Sequence, residues 1–270
     1  MPSMPDDGPG VSLGALEEGV ALLRFERPRQ LNALTDDTVA EIARLLDRVG
    51  ADQKTRVLVV TGSGRGFCAG FDLGLAGDAP GSAELGETPA WMQRQESFAS
   101  LVTRMRALRQ PVIAAVNGPA NGAGLGIALA AEIRIAARSA AFNSAFVRVG
   151  MSSCDIGVSW LLPRCVGMSR AFEIMLTGRM VDAAEAERIG LVNQVVPSGK
   201  LIQSAIEIGR MIAKNDARMV QGIKRLLHEG MGLDWQGRYD LEDEARATYL
   251  AAGHPRDGFK DFLARKPVRG

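Results

Sequence analysis

Residues 62–74 read GSGRGFCAGFDLG and residues 118–126 read GPANGAGLG, two glycine-dense runs in a chain of 270 residues. Glycine at this density lets a backbone approach another group closely or turn through conformations closed to other residues. Each run follows a β-branched stretch and leads toward a helical one, and at such points unpaired N–H groups project outward. Two of them converging on one oxygen would form an oxyanion hole. A phosphate cradle is the competing chemistry, but its spacings are missing: residues 62–74 hold no G-x-G-x-x-G, and no G-x-x-x-x-G-K-[ST] occurs anywhere. A serine hydrolase lacks its G-x-S-x-G elbow. The 2 histidines, His228 and His254, both fall in the C-terminal part. They read as surface or interface side chains, and no zinc-ligand spacing exists, so no metal is expected.

The elements that must carry these turns follow from periodicity. VSLGALEEGVALLRFERP predicts two short strands about a turn at residues 17–19. Thr35 opens a helix with acids in its first turn, and Val39, Ile42, Leu46 and Val49 form its apolar stripe. RVLVVT (56–61), PVIAAVN (111–117) and IRIAA (133–137) predict buried strands. Residues 76–89 read as a polar loop and 91–109 as a helix. Asp182 with Glu185 predicts a helix start, and Gly190 its stop. From about 199 onward the chain reads as helical. Strand, turn, helix and strand in this order predict an α/β class with parallel crossovers. The expected organisation is a disordered arm over 1–10, a core domain over 11–198 and a C-terminal helical region over 199–270.

Composition narrows the partners. Net charge is +1 and no basic run stands out, so neither nucleic acid nor an anionic membrane surface is expected. No apolar run approaches the ~20 residues of a membrane span. Three cysteines, Cys68, Cys154 and Cys165, cannot all pair and read as reduced thiols. The polar, Pro- and Gly-rich start MPSMPDDGPG does not read as a signal peptide, and a cytoplasmic location is the expectation.

Four spaced stretches carry a family resemblance: RPRQLNAL (27–34), GFCAGFDL (66–73), PVIAAVNGPANGAG (111–124), and LTGR (176–179) with AEAERIGLV (184–192). They resemble the crotonase (enoyl-CoA hydratase/isomerase) superfamily, collinearly from about residue 12 through GFKDFLARKP (258–267). The resemblance implies the repeated ββα core of the ClpP/crotonase fold with a C-terminal helical trimerisation region, in a homotrimer or dimer of trimers. It implies an acyl-CoA thioester as ligand, coenzyme A entering only as part of that substrate and no separate cofactor. Its oxyanion hole falls on the backbone N–H groups of Phe71 and Ala123. Ala69, Gly70, Asp72, Leu73 and Gly122 of the same turns, with Phe146 and Met151, are expected to contact the substrate. Phe71 stands where the family usually has Ala and would put a ring beside the acyl group, as in 4-chlorobenzoyl-CoA dehalogenases. Arg29 and Leu31 match positions contacting the CoA adenine and phosphate end, and Phe262 and Lys266 match C-terminal residues reaching CoA across the trimer. Asp72 matches an Asp that orders its own turn.

Family hydratases hold water with two glutamates, and the matching positions here are Gly126 and Phe146. Neither can move a proton. An acid enters instead at Asp155, in SSCDIG (152–157), where dienoyl-CoA isomerases carry an aspartate. A single carboxylate beside a thioester enolate suffices to shuttle a proton, and Phe146 and Met151 would flank it. The other reading of Asp155 is the cap of a helix starting at Ile156. Isomerisation or single-acid hydration of an enoyl-CoA in fatty-acid or related metabolism fits this inventory. Acyl-CoA binding with little catalysis, or hydrolytic or dehalogenating chemistry on an aryl-CoA, are the alternatives.

Overall fold

The computed structural model describes residues 10–150 and 155–251, with Lys260, Leu263 and Ala264. Two sheets form. The larger has the order β1-β2-β3-β4-β6-β9, with β1 Val11–Glu17, β2 Val20–Phe25, β3 Val57–Gly62, β4 Val112–Val116, β6 Ile133–Ala137 and β9 Gln194–Val196. Only β1 and β2 pair antiparallel, through the turn expected at 17–19; the remaining pairs are parallel. The smaller sheet joins β5 Pro119–Asn121, β7 Ala141–Asn143 and β8 Val181–Asp182.

The central strands are buried on both faces, which explains their unbroken apolar runs. Leu58, Val60, Val112, Ala114 and Val116 belong to one core, shared with α1 Asp36–Ala51, α3 Glu87–Ala107 and α4 Ala123–Ala130. Their alternates Val57, Val59, Ile113 and Ala115 belong to a second core with Leu201 and Ala205 of α9 Leu201–Ala213. This is the period of two expected for strands. The remaining helices of the first part are α2 Ser82–Leu85, α5 Phe146–Val149, α6 Val158–Val166, α7 Met168–Thr177 and α8 Ala183–Arg188.

The expected caps form: Thr35 Oγ1 accepts from Thr38 N at 3.2 Å, and Asp182 Oδ1 accepts from Glu185 N at 2.8 Å. Residues 76–89 are not one continuous loop, because α2 and the first turn of α3 lie inside them. Gly86 turns the chain at φ +85 before Glu87, and Pro89 is tolerated because a first-turn N–H has no helical acceptor.

By contacts the chain falls into one unit through Ala217 and another from Arg218. Helix α9 falls in the first of these units, where its apolar residues Leu201 and Ala205 cover the sheet. The second unit takes in α10 Ala217–Glu229 from its second residue and α11 Trp235–Ala251, joined by a hydrogen bond from the Tyr249 hydroxyl to Arg218 O at 2.9 Å.

Candidate active site

The first glycine-rich run leaves β3 and folds back on residues 31–34. Leu34 N donates to Gly70 O at 2.8 Å and Asp72 N donates to Leu34 O at 3.0 Å, an isolated parallel bridge centred on Phe71. A bridge of this pattern uses the groups of the flanking residues, so the N–H of Phe71 itself faces the other way. It makes no hydrogen bond among the described residues. Ala123 is the first residue of α4, and an N–H there has no intrahelical partner. It too makes no hydrogen bond among the described residues. Gly70 brings the turns together: a Cβ added there would lie 2.7 Å from Asn121 O and 3.3 Å from Ala123 N, and its φ is +92°. Two unpaired donors thus stand on adjoining turns, one of them at the positive end of a helix.

Both turns open on a cavity of about 260 Å³. Its floor is Ala69, Gly70, Phe71, Gly122 and Ala123; Gln95 and Phe98 come from α3, and Phe146 and Val149 from α5. Ala33, Leu73, Ala145, Asp155 and Ile156 complete the lining. Gln95 and Asp155 are the polar side chains of this wall. The rings of Phe71 and Phe98 meet edge to face, with centroids 5.5 Å apart. Behind Phe71 the guanidinium of Arg94 lies 5.3 Å from the ring centroid and 5.0 Å from that of Trp91. Arg94 is buried and bidentate on Asp36, with Nε 2.9 Å from Oδ1, and Nη1 donates to Leu75 O at 3.1 Å. The Asp36 carboxylate raises its pKa above the ordinary guanidinium value. Arg94 is fully engaged and braces Phe71 from outside the cavity.

Of the residues singled out above, Ala69, Gly70, Phe71, Leu73, Gly122, Ala123, Phe146 and Asp155 are brought together around the cavity. Asp72 stands outside the lining: it accepts from Gly74 N at 3.1 Å and pairs with Arg27 at 3.1 Å, so it holds the turn. Arg29 and Leu31 do not line the cavity either; Leu31 contributes its carbonyl, which accepts from Ala69 N at 3.0 Å. Met151, Phe262 and Lys266 lie outside the described residues. Asp155 is not the cap of a helix beginning at Ile156: α6 starts at Val158, Gly157 holds the cap position, and Asp155 offers Val158 its backbone carbonyl at 3.2 Å. Cys68 is fully buried, and burial pushes its thiol up to about 12. It fills space in the core. Among the described residues no cluster of three metal-ligating side chains exists, and no helix is long and apolar enough to cross a membrane.

Three asparagines that shape the site escaped the sequence reading. Asn32 Nδ2 donates to Ser63 O at 2.9 Å and to Gly66 O at 2.8 Å. Asn117 Nδ2 reaches the same Gly66 O at 2.9 Å, while its Oδ1 accepts from Gly62 N at 3.0 Å. Asn143 O accepts from Gly122 N at 2.9 Å and Asn143 Nδ2 donates to Gly178 O at 2.7 Å. These clips satisfy backbone groups that the tight turns cannot pair by themselves. Each Asn lies within a stretch already quoted or beside a strand end, which is the signal that was available. Arg94 gave none, since α3 shows no clear apolar face to mark its inward side.

Comparison with known proteins adds the following. The family model described as enoyl-CoA hydratase/isomerase matches residues 15–269. The chain is 42% identical over 212 residues to "Probable enoyl-CoA hydratase echA12" of Mycobacterium bovis, covering 78% of this chain and 74% of that one. It is 37% identical over 259 residues to 1,2-epoxyphenylacetyl-CoA isomerase of Escherichia coli K12, covering 94% and 95%. Among solved structures, a monofunctional enoyl-CoA isomerase from M. smegmatis superposes with a TM-score of 0.73 at 38% identity, covering 86% of this chain and 99% of that one.

Proposed function

Because the chain belongs to the enoyl-CoA hydratase/isomerase family, we propose that it isomerises an enoyl-CoA thioester, holding the enolate oxygen on the N–H groups of Phe71 and Ala123 and moving the proton with Asp155. The observation that carries this reading is the cavity itself, where two unpaired N–H groups and one carboxylate share a wall otherwise apolar but for Gln95. Two donors at the oxygen stabilise charge that develops only as the α-proton leaves. Asp155 then takes a proton from one carbon and returns it to another, leaving the carboxylate as it began. Addition of water by two carboxylates is the less favoured reading, since the family resemblance matches Gly126 and Phe146 to the positions where hydratases carry their glutamates. Single-acid hydration uses the same groups and is the closer variant.

A second reading concerns the acyl group. Phe71, Phe98 and Phe146 line the cavity with rings, which favours a flat or aromatic acyl chain, and the relative from E. coli is named for a phenylacetyl thioester. Coenzyme A would enter as part of the substrate. The homotrimer is likewise proposed: Met168, Phe172 and Leu176 line one side of α7 at helical spacing and are 60%, 56% and 72% exposed. Turnover and binding of crotonyl-CoA, a 3-enoyl-CoA, a 2,4-dienoyl-CoA and an aryl-substituted enoyl-CoA test the proposal. Isomerisation of a 3-enoyl or dienoyl substrate is expected. Binding of all four without turnover would leave an acyl-CoA-binding protein and remove the enzyme reading.

A further inference from the structure

Ile156 lines the cavity beside Asp155, and its backbone is in the left-handed region at φ +59°. A β-branched residue rarely adopts this conformation, and it persists only where the surroundings over-determine it. The surroundings here are Gly126 and α6. A Cβ built on Gly126 would lie 2.8 Å from Ile156 Cγ2, 3.3 Å from its Cβ and 3.1 Å from its carbonyl oxygen. The Ile156 side chain therefore fills the space that any side chain at position 126 would take, and it is 8% exposed. On the other side Gly157 is also left-handed, at φ +71°, and caps α6. Val158 N donates to Asp155 O at 3.2 Å, and Leu161 N donates to Gly157 O at 2.9 Å.

We propose that Ile156 is a positioning residue: wedged onto Gly126 of α4, it holds the strained turn that keeps Asp155 in the cavity wall. Residues 126 and 156 are complementary, one giving up its side chain so that the other can be held in an unfavourable backbone state. The turn is clamped between α4 and the start of α6, and the peptide bond next to the carboxylate-bearing residue cannot relax. The effect of Ile156 on the chemistry passes through Asp155, so the inference rests on the proton-carrier role proposed above. It adds that the absence of a side chain at 126 is a packing requirement of this turn as well as the absence of an acid.

The test compares the full chain with Gly126→Ala, Ile156→Gly, the double variant and Asp155→Asn, measuring kcat, KM and thermal unfolding with the 3-enoyl-CoA substrate. The methyl of Gly126→Ala must displace Ile156, and a misplacement of about 1 Å can cost about 10²-fold. Expected are kcat losses above about tenfold for both single variants, with KM nearly unchanged. The double variant is expected to lose little beyond Ile156→Gly, because the 2.8 Å approach to Cγ2 is gone and only the 3.1 Å approach to the backbone carbonyl at 156 remains. Wild-type kcat in Gly126→Ala, or losses that multiply in the double variant, would overturn the proposal. If Gly126→Ala does not fold, Ile156→Gly decides alone: kcat and KM unchanged would overturn it, and a kcat loss at constant KM supports it. Full activity in Asp155→Asn would remove the proton-carrier reading and this inference together. Inactive Asp155→Asn beside fully active Gly126→Ala would remove the inference only.

Discussion

Replacing Ala123 with Pro removes one of the two N–H groups proposed to hold the oxyanion and puts the ring Cδ in place of its hydrogen, while leaving α4 able to form. Ala123 is the first residue of α4, the helical position where proline is best tolerated because its N–H has no intrahelical partner. The residue before a proline must be extended. Gly122 has φ +50° and ψ −112°, close to the mirror image of that extended conformation and open to glycine. The helix should therefore survive. The donor is lost, and removal of one such donor costs about 10²–10³ in rate, or about 2.7–4 kcal/mol of transition-state stabilisation. Ala123→Ser keeps the N–H and is the control. The assay is kcat on a 3-enoyl-CoA, with circular dichroism and thermal unfolding to establish that the helix has formed. The expected result is a loss of at least about 10²-fold in kcat for Ala123→Pro and less than about threefold for Ala123→Ser. A folded Ala123→Pro protein retaining near-full kcat would refute the placing of the oxyanion at α4.

Further outcomes follow from the same structure. Arg94→Met leaves Asp36 without its bidentate partner and Phe71 without its brace; a loss of about 2–3 kcal/mol is expected, discounted because Asp36 is partly exposed. Thermal melting measures it. Cys68 should resist thiol reagents in the native state and label only in denaturant, unlike the more accessible Cys165. Its thiol ionises near its ordinary value of 9.0 when unfolded and only at about 12 when folded. Between those values the unfolded chain has given up the proton while the folded chain has not, so stability falls as pH rises through that window and is independent of this group below it. Urea titrations across alkaline pH with Cys68→Ala as reference show whether it does. Phe172→Glu, in the exposed apolar side of α7, should give monomers in sedimentation where the unchanged chain gives the proposed trimer, and unchanged assembly would move the interface elsewhere.

The strands were legible because β3, β4 and β6 carry β-branched runs that read alike whichever face is inward, and their boundaries shifted by only a residue. The helix caps at Thr35 and Asp182 were legible for the same local reason: a side-chain oxygen satisfies an N–H two or three residues on. The start of α3 was not, since Gly86 and Pro89 read as loop residues and the helix is held by burial of Ala90, Arg94 and Phe98. At the site, glycine density pointed to backbone chemistry, but which N–H groups stay unpaired depends on bridges between residues far apart in sequence. Leu34 with Phe71 and Cys68 with Ala120 are such bridges. Likewise the reading of Asp155 as the cap of a helix at Ile156 could not be set aside from the sequence, because only the fold shows that α6 starts beyond it, at Val158. The wedge of Ile156 on Gly126 joins residues thirty positions apart and leaves no local trace.

The most direct test of the account is the rate at which Asp155→Asn converts a 3-enoyl-CoA to its conjugated 2-enoyl isomer, followed by the ultraviolet absorbance of the conjugated thioester, with the affinity for the same thioester measured in parallel. The substitution keeps the shape of the side chain and removes the base, and a positioned general base contributes about 10²–10⁴-fold. The account predicts a loss of that size with affinity unchanged. Isomerisation at the wild-type rate in Asp155→Asn would contradict it.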